Sequence, residues 1–200
     1  GFYRFRWSFG DLQSEEVKVM VVRDWIAEIE TNHGKIHIEF YPHLAPNHVQ
    51  SFIKLARSGF YNESTFHRII PGFMMQGGIP KDPQNELRTP LKAEFSDTKH
   101  VFGTVSAARM TDPDSATSQF YICFGPVPHL DKNYSVFGQL VAGHEVVKEI
   151  EKIKSDHNPC KGCGQPAVRP GPTPCCGRHH QDKPEQEVVI KSVTLTERMK

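Results

Sequence analysis

From Trp25 onward, hydrophobic and polar positions fall into regular periods. Trp25, Ala27 and Ile29 alternate with Glu28 and Glu30; Ile36, Ile38 and Phe40 alternate with Lys35, His37 and Glu39; Asn32-His33-Gly34 stands between them. A period of two on both sides of a glycine-containing turn predicts a hairpin with one buried face and one wet face. His33, at the turn, and His37, on the wet face, are then expected to meet solvent rather than a metal. The period changes after Pro46. Val49, Phe52, Ile53 and Ala56 recur at helical spacing, Pro46 occupies a first-turn position where its missing N–H is harmless, and Gly59 stops the run. Within STFHRIIPGFMMQGG (64–78), the apolar runs 66–70 and 73–75 are split by Pro71-Gly72 and closed by Gly77-Gly78, the pattern of two strands with a tight bend. Residues 79–91, rich in proline and charge, read as a surface loop. Further strands are predicted over 101–108, 119–124, 136–141 and 188–195, and a second helix over 143–154, with Val146, Val147, Ile150 and Ile153 on one face. Many short strands and two helices point to a mainly β fold, a closed antiparallel barrel.

Composition narrows the function classes. The chain has 200 residues, 38% of them hydrophobic, and a formal charge of +1. That suits one globular domain with an ample core. Near-neutrality argues against nucleic acid or a membrane surface as the main partner. No run reaches the roughly 18 apolar residues of a membrane span, and no secretory leader pattern is present. A cytoplasmic location is the default expectation. Residues 1–23, aromatic and basic and then acidic, form an extension to which no function is assigned.

The polar residues His67, Arg68 and Gln76 stand out within the apolar 64–78 stretch. A charge is rarely buried without a partner, so Arg68 is either a structural cation met by a carboxylate or carbonyl, or a functional one. The order of residues bears on that choice. F-H-R-(I/V)-I-P-G-F-M-x-Q-G-G resembles the signature of the cyclophilins, the cyclosporin-sensitive peptidyl-prolyl isomerases, and every position is filled in 66–78. Two more segments are similar to the family: VSAARMTDPDSATSQFYICF (105–124) and VPHLDKNYSVFG (127–138). The resemblance runs from about Trp25 to Leu195 and is interrupted once; the 79–91 loop, without the glycine-rich stretch of many members, resembles the bacterial ones. The resemblance implies an eight-stranded barrel capped by a helix at each end, within an isomerase domain over 24–197.

The resemblance also implies site residues. Arg68 falls at the catalytic arginine, Phe73 and Met74 floor the proline pocket, and Gln76 binds substrate backbone. Ala108, Arg109 and Met110 fall where backbone pairs with the peptide. Gln119 and Tyr121 face the proline, and Leu130 lines the pocket. This sequence departs from the pattern in several places: Arg109 replaces an asparagine, with little effect expected because the backbone makes that contact, and Tyr121 replaces a phenylalanine. His129 stands where the best-known members have tryptophan, and Tyr134 where they have histidine. Loss of an indole donor and a large apolar face predicts weakened cyclosporin binding. Taken alone, Leu130 and Tyr121 would read as core residues.

The chemistry implied is modest. Rotation about X–Pro faces a barrier near 18–20 kcal/mol because the C–N bond is partly double. The prolyl nitrogen's lone pair becomes available only as the bond twists, so a fixed donor there favours the twisted state over the planar one. An arginine is always charged, rigid and all donor. No cofactor is required for catalysis. The expected partners are proline-containing peptides and unfolded proteins, with the chain a monomer. A peptide-binding module with little or no turnover is the alternative; a zinc hydrolase lacks support, since no HExxH motif occurs.

Residues 156–184 have no counterpart in the family pattern and hold four of the five cysteines. Cys160-Lys-Gly-Cys163-Gly reads as a zinc knuckle. Cys175, Cys176, His179 and His180 supply further ligands. Cys160, Cys163, Cys176 and His180 make the preferred set, with Cys175 and His179 as interchangeable candidates for a structural zinc. Disulfides and a disordered loop are the alternatives. Cys123, in a predicted strand, reads as a small core residue.

Overall fold

The computed structural model describes residues 2–6, 8–10, 12–15, 17–20, 25–82, 89–155 and 182–197. Residues 1–23, for which the sequence pattern predicts no element, contain two nested antiparallel pairs. The outer pair is β1 (Phe2–Phe5) with β4 (Val17–Met20), and the inner is β2 (Ser8–Phe9) with β3 (Leu12–Gln13). The predicted hairpin follows as β5 (Trp25–Thr31) and β6 (Gly34–Phe40), in register from Ile26↔Glu39 to Thr31↔Gly34. Next come α1 (Pro46–Arg57), the short strands β7 (Ser64–Thr65), β8 (Arg68–Ile70) and β9 (Met74–Gly77), then β10 (Thr104–Ala107) and β11 (Phe120–Cys123). The chain finishes with β12 (Val136–Ala142), α2 (His144–Glu151) and β13 (Val189–Glu197). The core strands and both helices sit where periodicity predicts, with ends shifted by a few residues.

β5 to β13 form one antiparallel sheet of nine strands in the order β7-β13-β5-β6-β12-β10-β11-β9-β8. Its two end strands, β7 and β8, are consecutive in sequence, separated only by Phe66 and His67. Read as one bent strand they leave eight, and the sheet curls round to meet itself. Thr65 bridges Ile79, and Phe66 N–H donates to the Val188 carbonyl at 2.9 Å. The barrel interior is packed with Ile29, Ile36, Ile38, Phe66, Ile69, Met75, Phe120 and Ile122, all essentially inaccessible to solvent.

The start of α1 needs a partner that local sequence does not supply. Ala45 precedes it and makes no side-chain cap. Glu94 takes that place from outside the helix: Oε1 accepts Asn47 N–H at 3.1 Å, and Oε2 accepts both His48 N–H at 3.1 Å and His48 Nδ1 at 2.6 Å. A carboxylate there satisfies orphan donors and suits the positive end of the helix dipole.

At the far end of α2, Ser155 pairs with Pro184, and Glu185 N–H donates to Lys154 O at 2.8 Å. These contacts hold the chain at 155 and 184 side by side. Cys160, Cys163, Cys175, Cys176, His179 and His180 all lie outside the described residues. Asp182, by contrast, is described and packs against β8.

Candidate active site

Three short strands carry the central residues. In the β8–β9 pair, Arg68 is opposite Gln76 and Ile70 opposite Met74; in the β9–β11 pair, Gln76 is opposite Tyr121 and Met74 opposite Cys123. Directly opposed residues share a face, so Arg68, Gln76 and Tyr121 form one row across three strands. The intervening residues Ile69, Met75 and Ile122 point the other way and are fully buried in the barrel. The period of two thus separates a packed interior from a chemical exterior. Ile70-Pro71-Gly72-Phe73 closes the β8–β9 hairpin, with Phe73 N–H bonded to Ile70 O at 3.0 Å and Gly72 at φ +73°. That left-handed angle is why glycine stands there.

On this outer face Met74, Tyr121, Cys123, Val127 and Leu130 form a second, small apolar cluster, against which Ile70, Phe73, Ala108 and Tyr134 pack. Above it opens a cavity of about 110 Å³ lined by Arg68, Phe73, Met74, Gln76, Ala108, Arg109, Tyr121, Leu130 and Tyr134. Nine of the twelve groove residues expected from sequence therefore meet in one pit. The other three are placed around it. Gln119 lies behind, its Oε1 accepting from Gln76 Nε2 at 2.9 Å, which orients that amide. His129 is exposed and stacks on Phe73, ring centroids 5.7 Å apart and planes 23° apart. Met110 projects into solvent, 74% exposed.

Arg109 does more than its backbone role suggests. Its guanidinium lies 4.5 Å over the Tyr134 ring and donates to the carbonyls of Asn133, Met110 and Thr111. The side chain is therefore part of the pocket wall, tying the loop after β10 to the loop before β12. Arg68 is held differently. Its Nε donates to Asp182 Oδ2 at 2.7 Å, with side chains 34% and 6% exposed respectively. Both readings of an arginine in an apolar strand are thus realised together, because it has a carboxylate partner and still faces the cavity.

Behind Tyr121 runs a buried polar chain that the sequence reading missed. Asp131 Oδ1 accepts His100 N–H at 2.8 Å and the ring at Nδ1 at 3.1 Å. With that proton on Nδ1, His100 Nε2 accepts the Tyr121 hydroxyl at 3.1 Å. The extra oxygen of tyrosine over phenylalanine thus points away from the pit and finds a partner. Burial pushes the Tyr121 hydroxyl well above its ordinary value, and backbone and ring donors from His100 bring the Asp131 carboxyl down to about 2. Burial lifts the Cys123 thiol to about 12, which makes it inert packing material.

His100 and His67 are both held below the ordinary histidine value, chiefly by burial, with the Arg68 charge adding to the effect at His67. Below about pH 6.5 the unfolded chain therefore binds more protons than the folded one, so stability increases with pH through that window and is lost as pH falls. The thermal midpoint is expected to drop between about pH 7 and pH 5. Replacing His100 by glutamine should flatten that slope. An unchanged slope would show that His100 does not contribute to it.

Residues 26–195 match the family described as cyclophilin type peptidyl-prolyl cis-trans isomerase/CLD. The chain belongs to the cyclophilin family. Peptidyl-prolyl cis-trans isomerase B of Escherichia coli is 35% identical over 178 residues, covering 84% of this chain and 97% of that protein. Peptidyl-prolyl cis-trans isomerase-like 2 of Cryptococcus neoformans is 34% identical over 176 residues, and this chain spans only 27% of its length. Among solved structures, a cyclophilin type peptidyl-prolyl cis-trans isomerase of Cryptosporidium parvum, crystallised in the presence of the dipeptide Ala-Pro, aligns with a TM-score of 0.70 at 26% identity. That alignment covers 86% of this chain and 99% of the other.

Proposed function

We propose that this cyclophilin accelerates cis–trans isomerisation of X–Pro bonds in peptides and unfolded segments of proteins. The observation that carries the reading is the row of Arg68, Gln76 and Tyr121 over an apolar pit of proline size. Phe73, Met74, Tyr121 and Leu130 receive the ring, and Gln76, steadied by Gln119, addresses substrate backbone. Ala108, Arg109 and Met110 offer backbone to the extended peptide beside β10. With Nε engaged by Asp182, the donors left to Arg68 are those on its two Nη atoms. One of them reaches the prolyl nitrogen as the amide leaves planarity. A charge-assisted contact made only in the twisted state is worth on the order of 3 kcal/mol, and with the pocket's hold a total of about 5 kcal/mol gives several thousandfold. No proton is transferred and no covalent bond forms, so the step asks for no cofactor. An exchange measurement by NMR on a short X–Pro peptide tests the proposal: cross-peaks growing with enzyme concentration support it. Peptide binding without faster exchange would make the chain a proline-peptide binding module instead. A monomeric cytoplasmic protein fits this reading.

The groove's rim bears on inhibitors. His129 covers Phe73 with an imidazole, which offers less apolar area than an indole and carries its N–H at a different place on a smaller ring. Cyclosporin is expected to inhibit only at micromolar concentration, and His129→Trp to tighten binding about tenfold. Nanomolar inhibition of the unaltered chain would contradict this.

For the cysteine-rich segment the reading rests on sequence: Cys160, Cys163, Cys176 and His180, with Cys175 or His179 in exchange, hold one structural zinc. Protein purified without chelator is expected to carry about one zinc per chain. Metal-free protein with no titratable thiols beyond Cys123 would indicate disulfides.

A further inference from the structure

Asp182 touches the site from far along the chain, 114 positions after Arg68. It grips β8 twice, on consecutive residues. Its carboxylate Oδ2 accepts Arg68 Nε at 2.7 Å, and its backbone carbonyl accepts Ile69 N–H at 2.9 Å. Its backbone sits at φ +55°, one of three non-glycine residues in the left-handed region among those described. A non-glycine residue held in that region is often one whose position matters to a site. Asp182 is also nearly fully buried, whereas Arg68 is about one third exposed on the groove side. The carboxylate is the anchored member of the pair and the guanidinium the presented one.

We propose that Asp182 is a positioning residue for Arg68, fixing the guanidinium plane so that its Nη donors meet the twisted imide without first being ordered. The inference rests on the isomerase reading given above. The mechanism is preorganisation: an arginine side chain has many rotamers, and a carboxylate on Nε removes most of them before substrate arrives. A carboxylate also withdraws part of the positive field from the groove. That cost falls on long-range attraction of ligands, while the directed N–H donation at the prolyl nitrogen depends on aim. Planar substrate makes little use of that donation. Loss of Asp182 should therefore appear in kcat and hardly in KM.

Asp182→Gly tests this. Glycine removes the side-chain acceptor, adopts the left-handed backbone without strain, and retains the carbonyl bonded to Ile69. The expected result is a fall in kcat of about tenfold with KM within about twofold. In an Arg68→Ala background the same substitution should change the rate by less than about twofold, because its effect passes through the arginine. The Arg68 Nε–H signal is expected to exchange slowly in the unaltered protein and rapidly in Asp182→Gly. Unaltered kcat in Asp182→Gly, an equal loss in the Arg68→Ala background, or a rapidly exchanging Arg68 Nε–H in the unaltered protein would each overturn the proposal while leaving the isomerase reading intact. Absence of turnover in the unaltered protein would overturn both.

Discussion

Replacing Arg68 by alanine is expected to lower kcat/KM for an X–Pro peptide about a hundredfold, the equivalent of roughly 3 kcal/mol of lost barrier reduction. Residual activity should persist, since the pit and the Gln76 amide still hold the substrate around the bond. The fold should weaken by about 1–3 kcal/mol and persist: Arg68 is partly solvated, but the substitution takes this cation from a nearly buried Asp182 carboxylate. Arg68→Lys separates charge from geometry. Lysine keeps the cation but has no planar fork with which to serve Asp182 and the substrate together, so it should recover only a minor part of the rate. Exchange spectroscopy gives the rate, and circular dichroism with a thermal scan shows that the barrel persists. Activity unchanged by Arg68→Ala would remove this residue from the mechanism.

Phe120→Ala should destabilise the fold by about 3–5 kcal/mol, a large share of the 5–15 kcal/mol typical of a domain. Phe120 is 1% exposed and meets Phe52, Tyr61 and Phe66 edge-on at centroid distances of 5.3, 5.7 and 5.9 Å. Three elements converge on that ring: α1 through Phe52, the turn before β7 through Tyr61, and the bent strand through Phe66. Because strand residues alternate, Phe120 points into the barrel while its neighbour Tyr121 points into the groove. Denaturant titration is expected to show a shifted midpoint, with peptide affinity preserved where the protein remains folded. A loss below about 1 kcal/mol would mean that the aromatic cluster relaxes to fill the gap.

Much of this was legible in the sequence because it is local. The hairpin of β5 and β6, the apolar stripes of both helices and the Pro71-Gly72 bend follow from periods and turn chemistry within a few residues. The groove residues were legible for another reason: the 66–78 segment orders Arg68, Phe73, Met74 and Gln76 on two adjacent strands, and a family resemblance supplied the rest. What stayed hidden depends on long-range approach. Glu94 caps α1 from 46 positions away, and nothing in the residues around Pro46 calls for it. Asp182 lies in a stretch that looked wholly inserted, and only folding places it beside Arg68. The side chain of Arg109 was expected to matter little, yet the structure lays it over Tyr134, since a guanidinium near a ring and several free carbonyls finds both.

Because β7 and β8 are two pieces of one continuous bent segment, the two ends of the sheet are joined by the chain itself, and among the described residues each flank of the segment meets further backbone. One flank of that segment is met by Ile79 and the other by the Asp182 carbonyl. Open strand borders recruit extended chains into growing β-structure and seed aggregation. A protein proposed to handle unfolded polypeptides would meet such chains constantly, and a seam closed in this way offers them less open strand to pair with.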